Sequence, residues 1–268
     1  LVQSDPLTRL SEPIQLSQRF QFFNEFYDEV RLSTDGFIMF INQSKISPTP
    51  DDAEMVSIAP YWIKNDAKED SIQNVFYREI LLKSNESLLN EITKFIRSGF
   101  PKLARQRMLW ALIVTWSNLT HEANSSQRNT FQTILTTNGF YSFTLFNYDR
   151  LDWSQDSSAN YARVGFHDGT HQMTYQLKYS SAPSVIHLVN DSNIGRPGQY
   201  VYHTSGHVND VQCETSTGLQ VSPFRGSMYG GYPIRLYGMC FTQSNYQIRI
   251  DGQIVHDCQV MNQLYLVC

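Results

Sequence analysis

Residues 111–148 read ALIVTWSNLTHEANSSQRNTFQTILTTNGFYSFTLFNY. With the preceding Met108-Leu109-Trp110, the run from 108 to 116 is apolar almost without alternation. In so short a segment, rich in Val, Ile and Trp, that pattern predicts a central strand covered on both faces. A wholly polar interval comes next, and then "NTFQTILT" and "FYSFTLFNY" flank Asn138-Gly139. Asn-Gly between two strand-like runs is the strongest short-range hairpin signal a sequence offers. The stretch therefore predicts three neighbouring strands of an antiparallel sheet.

Working outward, the amino-terminal side continues the β pattern. "YDEVRLSTDGFIMFIN" holds two apolar segments around Asp35-Gly36, a dipeptide suited to a hairpin. "MVSIAPYWIKND" and "QNVFYREI" add runs rich in aromatic and branched residues. Between them and the central stretch lies one helix, in "ESLLNEITKFIRSGFP", where Leu88, Leu89, Ile92, Phe95 and Ile96 recur at helical spacing. Ser87 is positioned to cap its start, and Gly99 with Pro101 to end it. Beyond residue 148, turns at Asp168-Gly169 and near Pro183 divide "YARVGF", "QMTYQLKYS" and "SVIHLVN" into further short strands. Many short strands plus a helix predict a mainly β, α+β fold built on antiparallel sheets, with at least one helix packed against a sheet.

The last section changes style. "VSPFRGSMYGGYPIRLYGMCF" alternates turns with a strand, "YQIRIDGQIVHDCQV" is a hairpin around Asp251-Gly252, and "LYLVC" ends the sequence. Residues 1–212 contain no cysteine, whereas Cys213, Cys240, Cys258 and Cys268 crowd into the remainder. That shift predicts a boundary near residue 205, with one domain over 1–205 and a small disulfide-stapled β-sandwich over 206–268, truncated at its carboxyl end. Four cysteines allow three connectivities. Cys213–Cys240 with Cys258–Cys268 is the expected one, the second closing a short loop. Zinc is disfavoured because no two cysteines show C-x2-4-C spacing and no histidine clusters with them.

Composition excludes whole classes of function. With 268 residues, 41% hydrophobic and a net charge of −4, the chain can build a sizeable core but has no basic field to gather phosphates. Nucleic acid is not an expected partner. No apolar run reaches the ~18 residues that cross a bilayer, so direct membrane insertion of this stretch is not expected either. N-x-[ST] acceptors stand at Asn42, Asn85, Asn118, Asn124 and Asn190, each in or beside a polar stretch where a glycan can be accommodated. Together with the cysteines they predict an extracellular or cell-surface location, as part of a secreted protein or the ectodomain of a single-pass membrane protein.

The chemical motifs are incomplete. "FHDGTH" places His167, Asp168 and His171 around a turn, but two imidazoles and one carboxylate lack the further ligand of a metal site, and exposed imidazoles on a hairpin turn are expected instead. "DRLDWSQD" offers Asp149, Asp152 and Asp156 without the register of a calcium loop, which predicts a solvated loop after a strand. "GSMYGG" lacks the Gly-Lys-Ser/Thr of a phosphate cradle, and no nucleophile elbow occurs. No catalytic residue, metal ligand or cofactor is therefore expected.

The order of segments resembles the extracellular NIDO domain of nidogen, alpha-tectorin and mucin-4-like proteins. The resemblance rests on "YDEVRLSTDGFIMF", "SIAPYWIKND", "ALIVTWSNLT", "NTFQTILTTNGFYSFTLFNYDRLDW", "ARVGF" and "NDSNIGRPGQYVY", and covers residues 7–203. The carboxyl-terminal section resembles an immunoglobulin-like E-set module of the IPT/TIG type, in "VSPFRGSMYGGYPIRLYGMCF", "IRIDGQ" and "LVC". The two in tandem resemble Mesh-type cell-junction proteins. The resemblance implies that Thr115-Trp116 ends a core strand, that Asn129-Thr130-Phe131 starts the next, and that a surface loop bearing Asn118 and Asn124 lies between. It also implies a non-catalytic role in adhesion or in matrix or junction assembly, by binding an extracellular or cell-surface protein, including a second copy of the same chain. A carbohydrate-binding module using Trp or Tyr platforms is the alternative, and a hydrolase acting through the His167/Asp168 region or the acidic loop is a more distant one.

Overall fold

The computed structural model describes residues 9–41, 55–64, 74–100, 103, 107–121, 126–170, 175–211, 219–223, 225, 231, 233–237, 241, 245–250, 252–262 and 265–268. The chain runs β1 (Ile14–Phe22), β2 (Glu25–Ser33), β3 (Phe37–Phe40), β4 (Val56–Trp62), β5 (Asn74–Leu81), α1 (Glu86–Gly99), β6 (Trp110–Thr120), β7 (Arg128–Thr137), β8 (Ser142–Leu151), β9 (Arg163–Asp168) and β10 (Tyr175–Gln176). A 3-10 helix (Pro183–Val189) and β11 (Gln199–His203) come next. The last strands are β12 (Gln220–Ser222), β13 (Arg235–Tyr237), β14 (Asn245–Ile250), β15 (Gln253–Asn262) and β16 (Tyr265–Val267). They form three antiparallel sheets, ordered β1-β2-β3-β4-β9-β10, β11-β8-β7-β6-β5 and β12-β13-β16-β15-β14.

The first two sheets face each other, and period-two alternation sorts their side chains into layers. Strand β6 shows this most clearly. Trp110, Leu112, Val114 and Trp116 enter the inter-sheet core, while Ala111 and Ile113 turn to the opposite face. There Ile92 and Ile96 of α1 cover them, with Ile134 of β7 and Leu145 of β8 alongside. An uninterrupted apolar run is the pattern such double coverage requires. Facing β6, the first sheet contributes Phe20 and Phe22, Val30 and Leu32, and Ile38 and Phe40. Each fully buried side chain of this kind contributes about 1.5–3 kcal/mol by leaving water.

Polar threads hold the sheets in register where apolar packing alone would let them slide. The Trp116 indole donates to the Ser33 carbonyl at 2.8 Å, and the Tyr148 hydroxyl to the Pro60 carbonyl at 2.7 Å. Tyr61 donates likewise to Trp153 O at 2.7 Å. Buried hydroxyl and indole groups without such partners would be costly. Gly36 makes one of these approaches possible: its φ is +88°, and an added Cβ would lie 2.1 Å from the Tyr61 carbonyl oxygen.

Several local expectations change. The hairpin around Asp35-Gly36 has a three-residue loop, since Ser33 pairs with Phe37 and only Gly36 takes a positive φ. Helix α1 is capped by Asn85, whose side-chain oxygen accepts from the Leu88 amide at 3.1 Å, and not by Ser87, which lies inside the first turn. Asn has the same capping chemistry as Ser and stands just ahead of the first helical residue. "SVIHLVN" is not a strand but the 3-10 helix, started by Pro183, with Val185 and Leu188 buried. Strands β6 and β7 also run further than expected, to Thr120 and from Arg128, so Asn118 belongs to a strand and not to the loop.

The third sheet has its own small apolar cluster, in which Leu236, Phe241, Cys258 and Leu266 are buried. Cys258 and Cys268 are joined by a disulfide. So few buried side chains make a cross-link of value in a unit this small. Cys213 and Cys240 lie outside the described residues.

Candidate functional site

Strands β7 and β8 end in a presentation device. Their last pair is Thr137 with Ser142, which leaves a four-residue loop where the Asn-Gly signal pointed to a tighter turn. Asn138 closes it: its side-chain oxygen accepts from the amides of Phe140 at 3.0 Å and Tyr141 at 2.8 Å. The Thr137 hydroxyl accepts from the Gly139 amide at 3.0 Å and donates to the Tyr141 carbonyl at 2.9 Å. With its backbone groups satisfied internally, the tip holds Phe140 out to solvent at 72% exposure.

Phe140 does not stand alone. It lines a groove of about 200 Å³ together with Phe26 of β2 and with Arg19 and Gln21 of β1. The Arg19 guanidinium sits 5.7 Å from the Phe26 ring centre. Leu109, whose amide donates to Thr137 O, and Leu81, paired with Trp110, add exposed apolar surface at the same end of the second sheet. Aromatic side chains with an arginine on a rigid frame are what protein contact sites are enriched in. A fixed tip loses little conformational freedom on binding.

The residues singled out for chemistry do not assemble. His167 is buried, at 5% exposure, and not an exposed imidazole. Its Nδ1 accepts from the Gly169 amide at 3.1 Å, so the ring stabilises the turn that Asp168-Gly169 makes. Asp168 accepts from the Thr170 amide and hydroxyl in the same turn. His171 lies outside the described residues. Asp149 falls within β8 and not in a loop after it, and Asp152 pairs with Arg150 at 2.6 Å. That hydrogen bond, with one from the Arg128 amide, holds the Asp152 carboxyl below the usual carboxylate range. Asp156 accepts from the amides of Ser158 and Asn160 and closes a local turn. Among the described residues no three His, Cys, Asp or Glu side chains come together as a metal site. Residues 226–230 of "GSMYGG" lie outside the described residues, as do Asn42 and Asn124. Asn85, Asn118 and Asn190 are exposed.

Two arrangements had no motif to announce them. Ser205 Oγ lies 2.8 Å from His203 Nε2, and Asn209 Nδ2 lies 3.3 Å from His203 Nδ1. The order resembles a nucleophile relay, but its setting is that of a clasp. The hydroxyl is buried and accepts from the Ser142 amide, and the ring packs among Phe100, Tyr141 and Phe143. Burial holds the imidazole below its ordinary pKa, in the neutral form. The second arrangement is a cavity of about 570 Å³ between the segment after β10 and the turn that leads into β11. Tyr175, Tyr200, Tyr202, Asp191 and Asp210 contribute to its wall. These residues are far apart in sequence, and only the fold brings them together.

The sequence profile of the Nidogen-like domain, NIDO, matches residues 28–206, more than half of the chain. The chain belongs to the nidogen-like family. Within that family it is 28% identical to human (Homo sapiens) alpha-tectorin over 211 residues, covering 73% of this chain and 10% of that protein. It is 25% identical to Drosophila melanogaster nidogen over 210 residues, covering 74% of this chain and 15% of the relative. Bombyx mori protein mesh shares 24% over 155 residues, 50% of this chain and 10% of that one. The NIDO chain thus spans a small part of the length of these curated relatives. No solved structure matches it. Membership of this family agrees with the extracellular location that the cysteines and glycan acceptors predict. No helix among the described residues is long and apolar enough to cross a membrane.

Proposed function

We propose that this chain is a non-catalytic extracellular adhesion fragment that takes part in matrix or junction assembly by binding another extracellular or cell-surface protein, or a second copy of itself, through its β surfaces. The observation that carries the reading is the rigid tip between β7 and β8, which holds Phe140 beside Phe26 and Arg19. An enzyme would need convergent titratable groups, and Tyr61, Tyr148, His167 and the Asp152–Arg150 pair are each used within the fold instead.

In this reading the NIDO domain occupies residues 1–205, and an IPT/TIG-type Ig-like module occupies 206–268. The five-stranded third sheet with its Cys258–Cys268 bond supports the second assignment, and Cys213–Cys240 is the other bond proposed. A Mesh-type parent protein accounts for the two in tandem. Asn42, Asn85, Asn118, Asn124 and Asn190 are the proposed glycan acceptors, and the exposure of Asn85 and Asn118 supports this.

The test is to probe the secreted chain against a panel of extracellular proteins and, in parallel, a glycan array. Saturable capture of a protein without turnover is the expected result. Selective binding to sugars alone would transfer the assignment to the carbohydrate-binding class.

A further inference from the structure

The cavity between the segment after β10 and the turn into β11 combines aromatic walls with fixed charge. Asp210 stands at its edge, one carboxylate oxygen accepting from Asn193 Nδ2 and from the Val211 amide, each at 2.6 Å. The other accepts from the Tyr175 hydroxyl at 3.0 Å. These three donors are neutral, and no cation pairs with Asp210 among the described residues. The local cation, Lys178, is already engaged with Asp191 at 3.1 Å and lies over the Tyr179 ring. Lys178, Asp191 and Asp210 together leave the wall with one net negative charge.

A second observation points the same way from the interior. Tyr202 lines the cavity, is only 2% exposed, and has no hydrogen-bond partner for its hydroxyl among the described residues. Unlike Ser57 and Thr133, whose hydroxyls are buried without a partner, the Tyr202 oxygen keeps some accessible surface, where a ligand or water can complete its bonding. The field of Asp210 reaches this group too: with burial as the larger cause, it helps to hold the hydroxyls of Tyr175, Tyr200 and Tyr202 above their ordinary pKa. The cavity thus offers an anionic oxygen cluster, an unfilled tyrosine oxygen and aromatic rings. That set complements a guanidinium, which donates several N–H groups and stacks on aromatic faces. About 570 Å³ exceeds the size of one side chain and falls within the usual range of ligand clefts.

We infer that this cavity is a receptor for an arginine side chain presented by a protein partner, with Asp210 as the charged anchor and Tyr202 as the hydrogen-bonding floor. That the arginine comes from a protein rests on the adhesion reading above; the cation selectivity of the cavity does not. Asn190 lies on the same wall, so a glycan there would stand at its mouth.

The test titrates the whole chain, enzymatically deglycosylated, with N-acetyl-arginine amide and with its neutral isostere N-acetyl-citrulline amide, with calorimetry as the readout. Saturable binding of the arginine probe, at least about tenfold weaker for citrulline and for Asp210→Asn, is expected from the loss of a charge-assisted hydrogen bond. Tyr202→Phe keeps the ring packed and should weaken binding several-fold, whereas Asp156→Asn, which is not part of the wall, should leave it unchanged. Equal affinities for the two probes, equal affinities for wild type and Asp210→Asn, or no saturation by the arginine probe would overturn the inference. So would N-acetylglucosamine binding in its place. Because the probe is a small molecule, its failure is distinguishable from failure of the chain to capture a protein partner.

Discussion

Asn118 takes a φ of +55° near the end of β6, a conformation that L-residues other than Asn and Asp rarely visit. The reason is phase. Trp116 and Leu119 are both buried, an odd spacing that a regular strand would send to opposite faces. The ladder slips between them, and the slip turns Asn118 out to solvent. The bulge thus lets a proposed glycan acceptor sit within a core strand. Asn118→Ala and Asn118→Gly both remove the N-x-[ST] pattern, so their difference isolates the backbone. The alanine variant should be about 1–2 kcal/mol less stable than the glycine variant in urea unfolding. Sequence alone could not show this, because "TWSNLT" reads as a strand end with a polar loop behind it, and alternation is lost at the bulge itself.

At the scale of elements, legibility tracks periodicity. Strand β6 is readable because both of its faces are covered, and β7 and β8 because Asn138-Gly139 marks the join. The 3-10 helix is not, since "SVIHLVN" is as apolar as a strand and Pro183 suits either start. The cap of α1 lies two residues ahead of the expected one for a similar reason: Asn85 and Ser87 share the chemistry, and only geometry separates them. Asn85→Ala should cost about 1 kcal/mol of stability in urea unfolding, while Asn85→Asp, which keeps the accepting oxygen, should cost much less. The cap and a proposed glycan acceptor are the same residue, so both variants are best compared with the deglycosylated chain.

For the whole molecule, the inter-sheet core is lined with tyrosines whose ionisation the fold resists. Burial holds Tyr61, Tyr148, Tyr200 and Tyr202 above their ordinary value near 10, and Tyr27 is pushed up to about 12, chiefly by burial. The unfolded chain therefore loses these protons first. Stability should be full below pH 10 and decline as pH rises through 12, with tyrosinate absorbance appearing together with unfolding. The candidate contact surface is only partly legible: "NGFY" announces a hairpin, but nothing in it reveals that Asn138 fixes a four-residue tip, or that Phe26, far earlier in the chain, stands beside Phe140. The cavity residues are not legible at all, because their proximity is a product of topology. The central claim is that this end of the sandwich binds a protein partner. The most direct measurement is the affinity of the chain for the partner captured in the extracellular panel, compared between wild type and a Phe26→Ser/Phe140→Ser double variant of unchanged thermal midpoint. A loss of at least about a hundredfold is expected for two central aromatic contacts, and undiminished binding by the double variant would contradict the claim.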